Sequence, residues 1–327
     1  MRKDARIFVA GHTGLIGSAL LRRLKRDGYS QVVTLPRDLL DLQSAVCVDK
    51  FFGEKKPEYV LLAAGRVGGI IENDTYPASF MEENIAIQLN VLKAAQKARV
   101  TKLILFGSSC MYPKDCSQPM AEDILLSGKL EPTSLPYAVS KLAGVYMCLA
   151  YNKQYGGSSF IPLIPSSVYG PNDNFDPMSS HVLSALMSRF HAAKVDDADS
   201  VTLWGSGSPR REFIHADDIA DACLHLLEKD ISGLVFPLNI GVGSDISIKE
   251  LSEAMAKVVG YKGSIVWDRG KPDGAPRKLL DSSRMRKMGW DAKIPLGIGL
   301  QQTYKWYLEG KLSVGNLMIN TTLQDEK

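Results

Sequence analysis

The sequence predicts an α/β fold, a doubly wound parallel sheet with a smaller α/β lobe attached. Three observations predict it. Short, almost uniformly apolar runs alternate with longer amphipathic ones through the first half of the chain, the pattern of strands buried on both faces by helices. A glycine-rich turn separates the first such strand from the first helix. From about Tyr169 the texture changes to more Pro, Gly, Ser and Asn with less regular elements, so a second unit is expected there.

In order, "RIFVAG" reads as a strand and "HTGLIGSALLRRLKRDG" as a turn and amphipathic helix ending at Gly28. "QVVTLP" is a second strand, "SAVCVDKFFGEKK" a second helix and "YVLLAA" a third strand. The helix "MEENIAIQLNVLKAAQKARV" leads into a fourth strand, "KLILFGSS". The long helix "SLPYAVSKLAGVYMCLAYNKQYG" is followed by "FIPLIPSSVYGP", a strand ending in a loop. "REFIHADDIADACLHLLE" and "FPLNIG" read as a helix and strand that return to the main sheet, which makes the lobe discontinuous. The expected division is residues 1–165 plus about 212–241 for the large domain, and about 166–211 plus 242–327 for the lobe. The tail "NLMINTTLQDEK" has little periodicity and no regular element is expected in it. No internal repeat or low-complexity segment is present.

At 327 residues the chain can bury a sizeable core, and its 45% apolar and 23% charged residues are ordinary for a globular protein. A formal charge of +3 without long blocks of one sign offers no footprint for nucleic acid or a membrane surface, and leaves an anionic small ligand open. The five cysteines (Cys47, Cys110, Cys116, Cys148, Cys223) are odd in number and lack C-x-x-C spacing. That suits reduced thiols of a cytoplasmic protein better than a disulfide framework or a metal site. The opening "MRKDARIFVAGHTG" breaks on glycine too soon for a signal peptide, and no apolar run approaches a membrane span.

Gly11, Gly14 and Gly17 form G-x-x-G-x-x-G directly after the first strand. Glycine there permits a tight turn and lets a pyrophosphate approach the N–H groups of the following helix; a turn that only packs helix on sheet is the alternative. The second strand runs into "VVTLPRDLLDL", which puts Arg37 where an NAD site carries an acidic residue for the ribose 2′-hydroxyl. A cation at that place suits the 2′-phosphate of NADP, whereas Asp38, next in the chain, allows a plain Arg-Asp pair on an exposed turn. In "PYAVSK", Tyr137 and Lys141 stand one helical turn apart on one face, where an ammonium is expected to lower the pKa of the phenol. Ligands of open α/β sheets bind beyond the carboxyl ends of strands, where Ser108 and Ser109 lie, so their hydroxyls can donate to a carbonyl while Tyr137 moves the proton. Cys110 beside them implies further chemistry, or is a small residue at a strand end.

This succession of glycine turn, strand-end serines and Tyr-x-x-x-Lys resembles the extended short-chain dehydrogenase/reductase family, whose fold is a Rossmann-type domain with a substrate lobe. "AAGRVGGI", "GSSCMYP", "LEPTSLPYAVSK", "PNDNFDP", "SSHVLSALMSRFHAA", "LWGSG", "RREFIHADD" and "KPDGAPRKLLD" are similar, in that order, to the branch acting on GDP-4-keto sugars. The likeness runs from about Arg6 to about Trp290. It implies a bifunctional NADPH-dependent 3,5-epimerase and 4-reductase that converts GDP-4-keto-6-deoxy-D-mannose to GDP-L-fucose, working as a homodimer through the two long helices. By the same resemblance Ser108, Tyr137 and Lys141 serve the carbonyl, and Cys110 and His181 are the acid and base of epimerisation. NADP would lie along Gly11, His12, Thr13, Gly14, Leu15, Ile16 and Gly17, then Arg37, Asp38 and Leu42, then Phe106, Gly107 and Ser109. Lys141, Pro165, Ser167, Val168 and His181 would complete its site, and Arg189, Trp204, Arg211 and Asp273 would hold the GDP-sugar. His12, His191, His215 and His225 have no catalytic role in this reading.

The chain departs from the family pattern in three places: Thr13 stands where an arginine is common, Ser167 where an amide is common, and Arg66 where a lysine is common. An epimerase-only or reductase-only relative acting on another GDP-4-keto sugar, such as a heptose, is the alternative reading. A catalytically silent NADP-binding scaffold would predict a broken Ser–Tyr–Lys set, and the set is intact.

Overall fold

The computed structural model describes residues 1–157, 159–176, 179–231, 233–271 and 273–322, the stretch 311–322 as backbone alone. Strands β1 (Ile7–Ala10), β2 (Val32–Val33), β3 (Tyr59–Leu62), β4 (Lys102–Phe106) and β5 (Phe160–Pro165) begin the central sheet. The short strands β6 (Ser167–Tyr169), β7 (Ser200–Trp204), β8 (Arg210–Arg211) and β9 (Phe213–His215) intervene before β10 (Leu238–Ile240) rejoins it. The order is β10-β5-β4-β3-β1-β2, and every neighbouring pair is parallel.

Alternate residues of the strands feed two cores. Ile7 and Val9 of β1 pack with Leu20 and Leu24 of α1 (Leu15–Arg26) and, across the same face, with Ile219 and Cys223. Phe8 and Ala10 face the other way, onto Phe51 and Phe52 of α2 (Ala45–Lys55) and onto Val91 and Val145. A strand apolar at every position is therefore what a sheet covered on both sides requires. Ser44 caps α2 by accepting from the Cys47 N–H at 3.4 Å.

After β3 come the one-and-a-half turns of α3 (Ile70–Thr75) and then α4 (Pro77–Lys97), which starts four residues before the predicted Met81. Proline suits a first helical position because its missing N–H has no intrahelical partner there. Helix α5 (Leu135–Tyr155) packs along α4: Gln88 Nε2 donates to Ser140 O at 3.0 Å, and a Cβ on Gly144 would come within 1.9 Å of Gln88 Oε1.

The lobe has a third core, made by Leu186, Met187 and Phe190 of α6 (Val182–Val195), Leu251 and Met255 further on, and Leu300 and Tyr304 near the C-terminal end. Helix α7 (Ala216–Glu228) carries Ile219 and Cys223 back to the main sheet. The chain then gives β11 (Ile246–Ser247), which pairs with β8, and α8 (Ile248–Val259), opened by a Ser247–Glu250 capping box. Strand β12 (Ser264–Asp268) pairs with β7, and β13 (Arg277–Lys278) with β8. Between Leu280 and Trp290, including α9 (Ser283–Lys287), the chain crosses back once more: Leu280 enters one core of the large sheet, and Met285 and Trp290 the other. Helix α10 (Leu296–Thr322) then rejoins the lobe. Where no regular element was expected in the tail, α10 continues to Thr322, and the remainder of that tail lies outside the described residues. Among the described residues no helix is long and apolar enough to cross a membrane.

Strand β2 covers only part of the predicted "QVVTLP", which leaves a loop carrying Arg37. Because β2 and β3 lie on opposite sides of β1, strand order reverses at β1. The crevice at that reversal opens at the carboxyl ends of β1 and β3.

Candidate active site

The glycine turn is shaped by sterics. Gly11 has φ 78°, and a Cβ there would sit 2.7 Å from the Ala64 N, so the loops after β1 and β3 touch backbone to backbone. A Cβ on Gly17 would lie 2.0 Å from Gly11 O. Gly14 has ordinary angles and caps α1 without a side-chain hydrogen bond, so the first N–H groups of a 12-residue helix keep their donors for an anion. His12 Nδ1 is buried beside them with no hydrogen-bond partner among the described residues. A cradle that a Cβ would fill, an uncapped helix end and an orphaned buried nitrogen together fit a dinucleotide pyrophosphate. Thr13 is exposed and brings no charge, while Leu15 and Ile16 turn inward onto the core.

Arg37, in the loop after β2, pairs with Glu83 of α4 at 3.5 Å and makes no ion pair with Asp38, so the simple Arg-Asp turn is not what forms. Leu42 closes the same loop, its carbonyl accepting from Asn90 Nδ2 at 3.1 Å.

At the end of β4, after Phe106, Gly107 lets the chain pass tightly over α5 and under the following turn, since a Cβ would meet Val145 Cγ2 at 3.2 Å and Met111 Cε at 2.8 Å. Ser108 then caps the single 3-10 turn Ser109–Met111, its Oγ accepting from the Cys110 N–H at 3.3 Å. Tyr137, in the first turn of α5, is buried, hydrogen-bonded to Ser108 and edge-on to Phe80 at 6.0 Å. Lys141, one turn on, donates from Nζ to Phe106 O at 3.2 Å and lies 5.9 Å from the centre of the Tyr137 ring. Burial pulls the Lys141 pKa down to about 8. Burial, with Cys110 nearby, pushes the Tyr137 phenol upward, and the Ser108 hydrogen bond opposes this. The lowering expected from helical spacing is thus reversed. The sequence fixes the spacing of the two groups but not their loss of water, and in a dry site burial outweighs the neighbouring ammonium.

Cys110 is half-buried and within electrostatic reach of both Tyr137 and Arg211. Arg211, on β8, is braced by Ala275 O at 2.7 Å, and burial lowers its pKa. Next to Ala275, a Cβ on Gly274 would come 3.1 Å from Arg211 Nη2, and Asp273 accepts from the Ser206 N–H at 2.9 Å and from its hydroxyl at 2.6 Å. Trp204 ends β7 as an exposed ring under Lys271, 5.4 Å from its ammonium. Arg211, Trp204 and Asp273 therefore share one rim of the lobe. Arg189 is half-buried on α6 and has no hydrogen bond or ion pair among the described residues.

His181 caps α6 and is exposed. Its segment is tied to the loop after β3 by the Gly69 N–H, which donates to Ser179 O at 3.2 Å. Pro165 ends β5 and is buried, and in β6 the Ser167 N–H donates to Glu212 O at 3.1 Å with Val168 following. The other histidines make structural contacts: His191 with the Tyr304 hydroxyl, His215 with the Asp217 N–H, His225 with Met288 O. A groove of about 540 Å³ between Arg210 and Leu296 lies off this cluster and shares Arg211 with it.

Two residues near the site carried no role in the sequence reading. Asp173 hydrogen-bonds the Ser184 hydroxyl and accepts from the Asn174 N–H at 2.8 Å, and burial raises its pKa against the nearby His181. It stands within "PNDNFDP", so its motif was visible although its contact with α6 was not. Glu83, inside an amphipathic helix, gave no signal beyond an ordinary surface charge.

A model of the family described as NAD dependent epimerase/dehydratase matches residues 7–241. The chain is 51% identical over 307 residues to GDP-L-fucose synthase 1 of Arabidopsis thaliana, which covers 94% of this chain and 94% of that protein. Among solved structures it resembles a GDP-6-OMe-4-keto-L-xylo-heptose reductase from C. jejuni at TM-score 0.88 and 36% identity, over 95% of this chain and 99% of that one. A GDP-L-fucose synthetase from Naegleria fowleri bound to NADP superposes at TM-score 0.87 with 27% identity, over 95% of each chain.

Proposed function

Because this chain belongs to the NAD dependent epimerase/dehydratase family, we propose that it is a bifunctional 3,5-epimerase and 4-reductase, NADPH-dependent, converting GDP-4-keto-6-deoxy-D-mannose to GDP-L-fucose. The observation that carries the reading is Cys110 set beside Ser108, Tyr137 and Lys141. Hydride transfer to a ketone needs no thiol there; inversion at carbons flanking the ketone needs an acid and a base. The curated relatives named for this synthesis support the substrate, and the NADP-bound neighbour together with Arg37 supports the phosphorylated cofactor.

In this reading residues 1–165 and about 212–241 hold the cofactor, and the lobe holds the GDP-sugar through Arg189, Trp204, Arg211 and Asp273. The C4 ketone acidifies the protons on C3 and C5. Cys110 and His181 remove each proton from one face and return one to the other, while Ser108 and Tyr137 donate hydrogen bonds to the enolate oxygen. NADPH supplies the hydride for C4. Tyr137, held neutral by burial, gives its hydroxyl proton to the resulting alkoxide, and Lys141, whose pKa of about 8 leaves it largely protonated at neutral pH, holds a positive charge 5.9 Å from the Tyr137 ring. Guanidinium forks suit the diphosphate, which agrees with Arg189 and Arg211 on the lobe. The enzyme would be a cytoplasmic homodimer joined through α4 and α5.

The test is NADPH absorbance with purified protein and GDP-4-keto-6-deoxy-D-mannose, followed by NMR of the product. NADPH consumption with GDP-L-fucose formed is expected. Cys110→Ser should slow deuterium exchange from solvent at C3 and C5 by roughly 10²- to 10⁴-fold. Tyr137→Phe should abolish NADPH oxidation and leave exchange measurable. Exchange without oxidation in the unaltered protein would reduce the reading to an epimerase, and neither reaction would refute the substrate.

A further inference from the structure

Glu83, which none of the steps above uses, is shared by two arginines. Its carboxylate lies 2.7 Å from Arg66 Nη1 and 3.5 Å from Arg37 Nη2. The two contacts are unequal. Arg66 is held on several sides: Glu72 at 3.8 Å, the rings of Phe80 and Tyr76 at 4.9 and 5.3 Å, and its own N–H donating to Asn84 Oδ1 at 3.2 Å. Arg37 has a side chain 74% exposed, and its one ion pair among the described residues is the long contact to Glu83.

Arg37 follows the strand next to the glycine turn, where a sheet of this topology reads the adenosine ribose. We propose that Glu83 is a resident counter-anion of this selector: it holds Arg37 in the free protein, yields it to a 2′-phosphate, and so sets how strongly phosphorylated dinucleotide is preferred. The proposal rests on the NADP reading above. A long, solvent-exposed ion pair contributes little, so its release costs little. A guanidinium gains shorter, charge-assisted bonds on a phosphate. Glu83 keeps Arg66 throughout, so no buried charge is stranded when Arg37 turns away. Its carboxylate nevertheless stays next to a phosphate bearing between one and two negative charges, and that repulsion weakens phosphate binding relative to a neutral side chain. The predicted sign is therefore opposite to that of a residue that merely braces Arg37, whose removal would weaken binding.

The experiment is calorimetric titration of the full-length protein with adenosine 2′,5′-bisphosphate and, separately, with 5′-AMP. The unaltered protein should bind the bisphosphate more tightly. Glu83→Gln should tighten the bisphosphate a further ~3- to 10-fold, keep 5′-AMP within about twofold, and lose its advantage as salt rises. Glu83→Ser, which removes the charge without adding an amide, should move the same way. In an Arg37→Met background the bisphosphate should bind more weakly overall, and Glu83→Gln should still tighten it, by less than with Arg37 present, because the repulsion remains while no arginine has to be released. Weaker or unchanged bisphosphate binding in Glu83→Gln, or an equal change for both nucleotides, overturns the counter-anion role. Absence of any preference in the unaltered protein overturns the NADP reading itself, and the role with it.

Discussion

Lys141 spends stability on chemistry. Its ammonium is buried and, among the described residues, hydrogen-bonded to the Phe106 carbonyl alone, and its pKa falls from 10.5 to about 8 because burial disfavours the charge. The unfolded chain therefore binds a proton more readily than the folded one between those two values. Stability carries the full penalty below about 8 and regains it as pH rises from there to 10.5. Lys141→Met should therefore melt higher than the unaltered protein at neutral pH, by a few degrees for a gain on the order of 1–3 kcal/mol. The gap should close at alkaline pH, which calorimetry at the two pH values checks. A gap that stayed constant with pH would assign the gain to packing instead. Tyr137 shifts the other way for the same reason, and a phenol kept protonated is the form that can donate to an oxyanion.

At the scale of elements, the strand–turn–helix from β1 to α1 divides its glycines into two kinds. Gly11 and Gly17 are required by contact, whereas a Cβ on Gly14 would meet nothing nearer than Gly11 O at 3.6 Å, an ordinary contact. Gly17→Ala should cost ~1–3 kcal/mol and weaken dinucleotide binding by at least ~10-fold, because the new methyl must push Gly11 and α1 apart. Gly14→Ala should cost under ~1 kcal/mol. Melting curves and dinucleotide titrations of both variants test the contrast, and equal effects would refute it. This steric division could not be read from the G-x-x-G-x-x-G spacing, in which all three glycines look alike. The α4–α5 pair has a comparable hidden requirement: Gly144 is small because Gln88 crosses to Ser140 at that level.

At the scale of the molecule, the proposed site draws on both the large domain and the lobe. The large domain contributes Ser108 and Cys110 from the turn after β4 and Tyr137 and Lys141 from α5, and the lobe brings Arg211 within electrostatic reach of Cys110. The outer faces of α4 and α5 leave Leu89 and Tyr146 exposed, which agrees with the proposed homodimer. Tyr146→Glu should shift the protein to monomers in light scattering, since a carboxylate would lose its water in that interface. An unchanged mass would place the interface elsewhere or remove it.

The sequence by itself determined the parallel sheet, the glycine turn, the strand-end serines and the spacing of Tyr137 and Lys141. These are written in local periodicity and in the few residue types that satisfy a turn or a buried strand. The tertiary structure alone decided what each group is surrounded by. It paired Arg37 with Glu83 rather than Asp38, set Asp173 against Ser184, returned Leu280 to Trp290 to the large sheet, and reversed the direction of the Tyr137 pKa shift. Each of these depends on residues far apart in the chain meeting in space and excluding water, and neither the meeting nor the exclusion has a local signature.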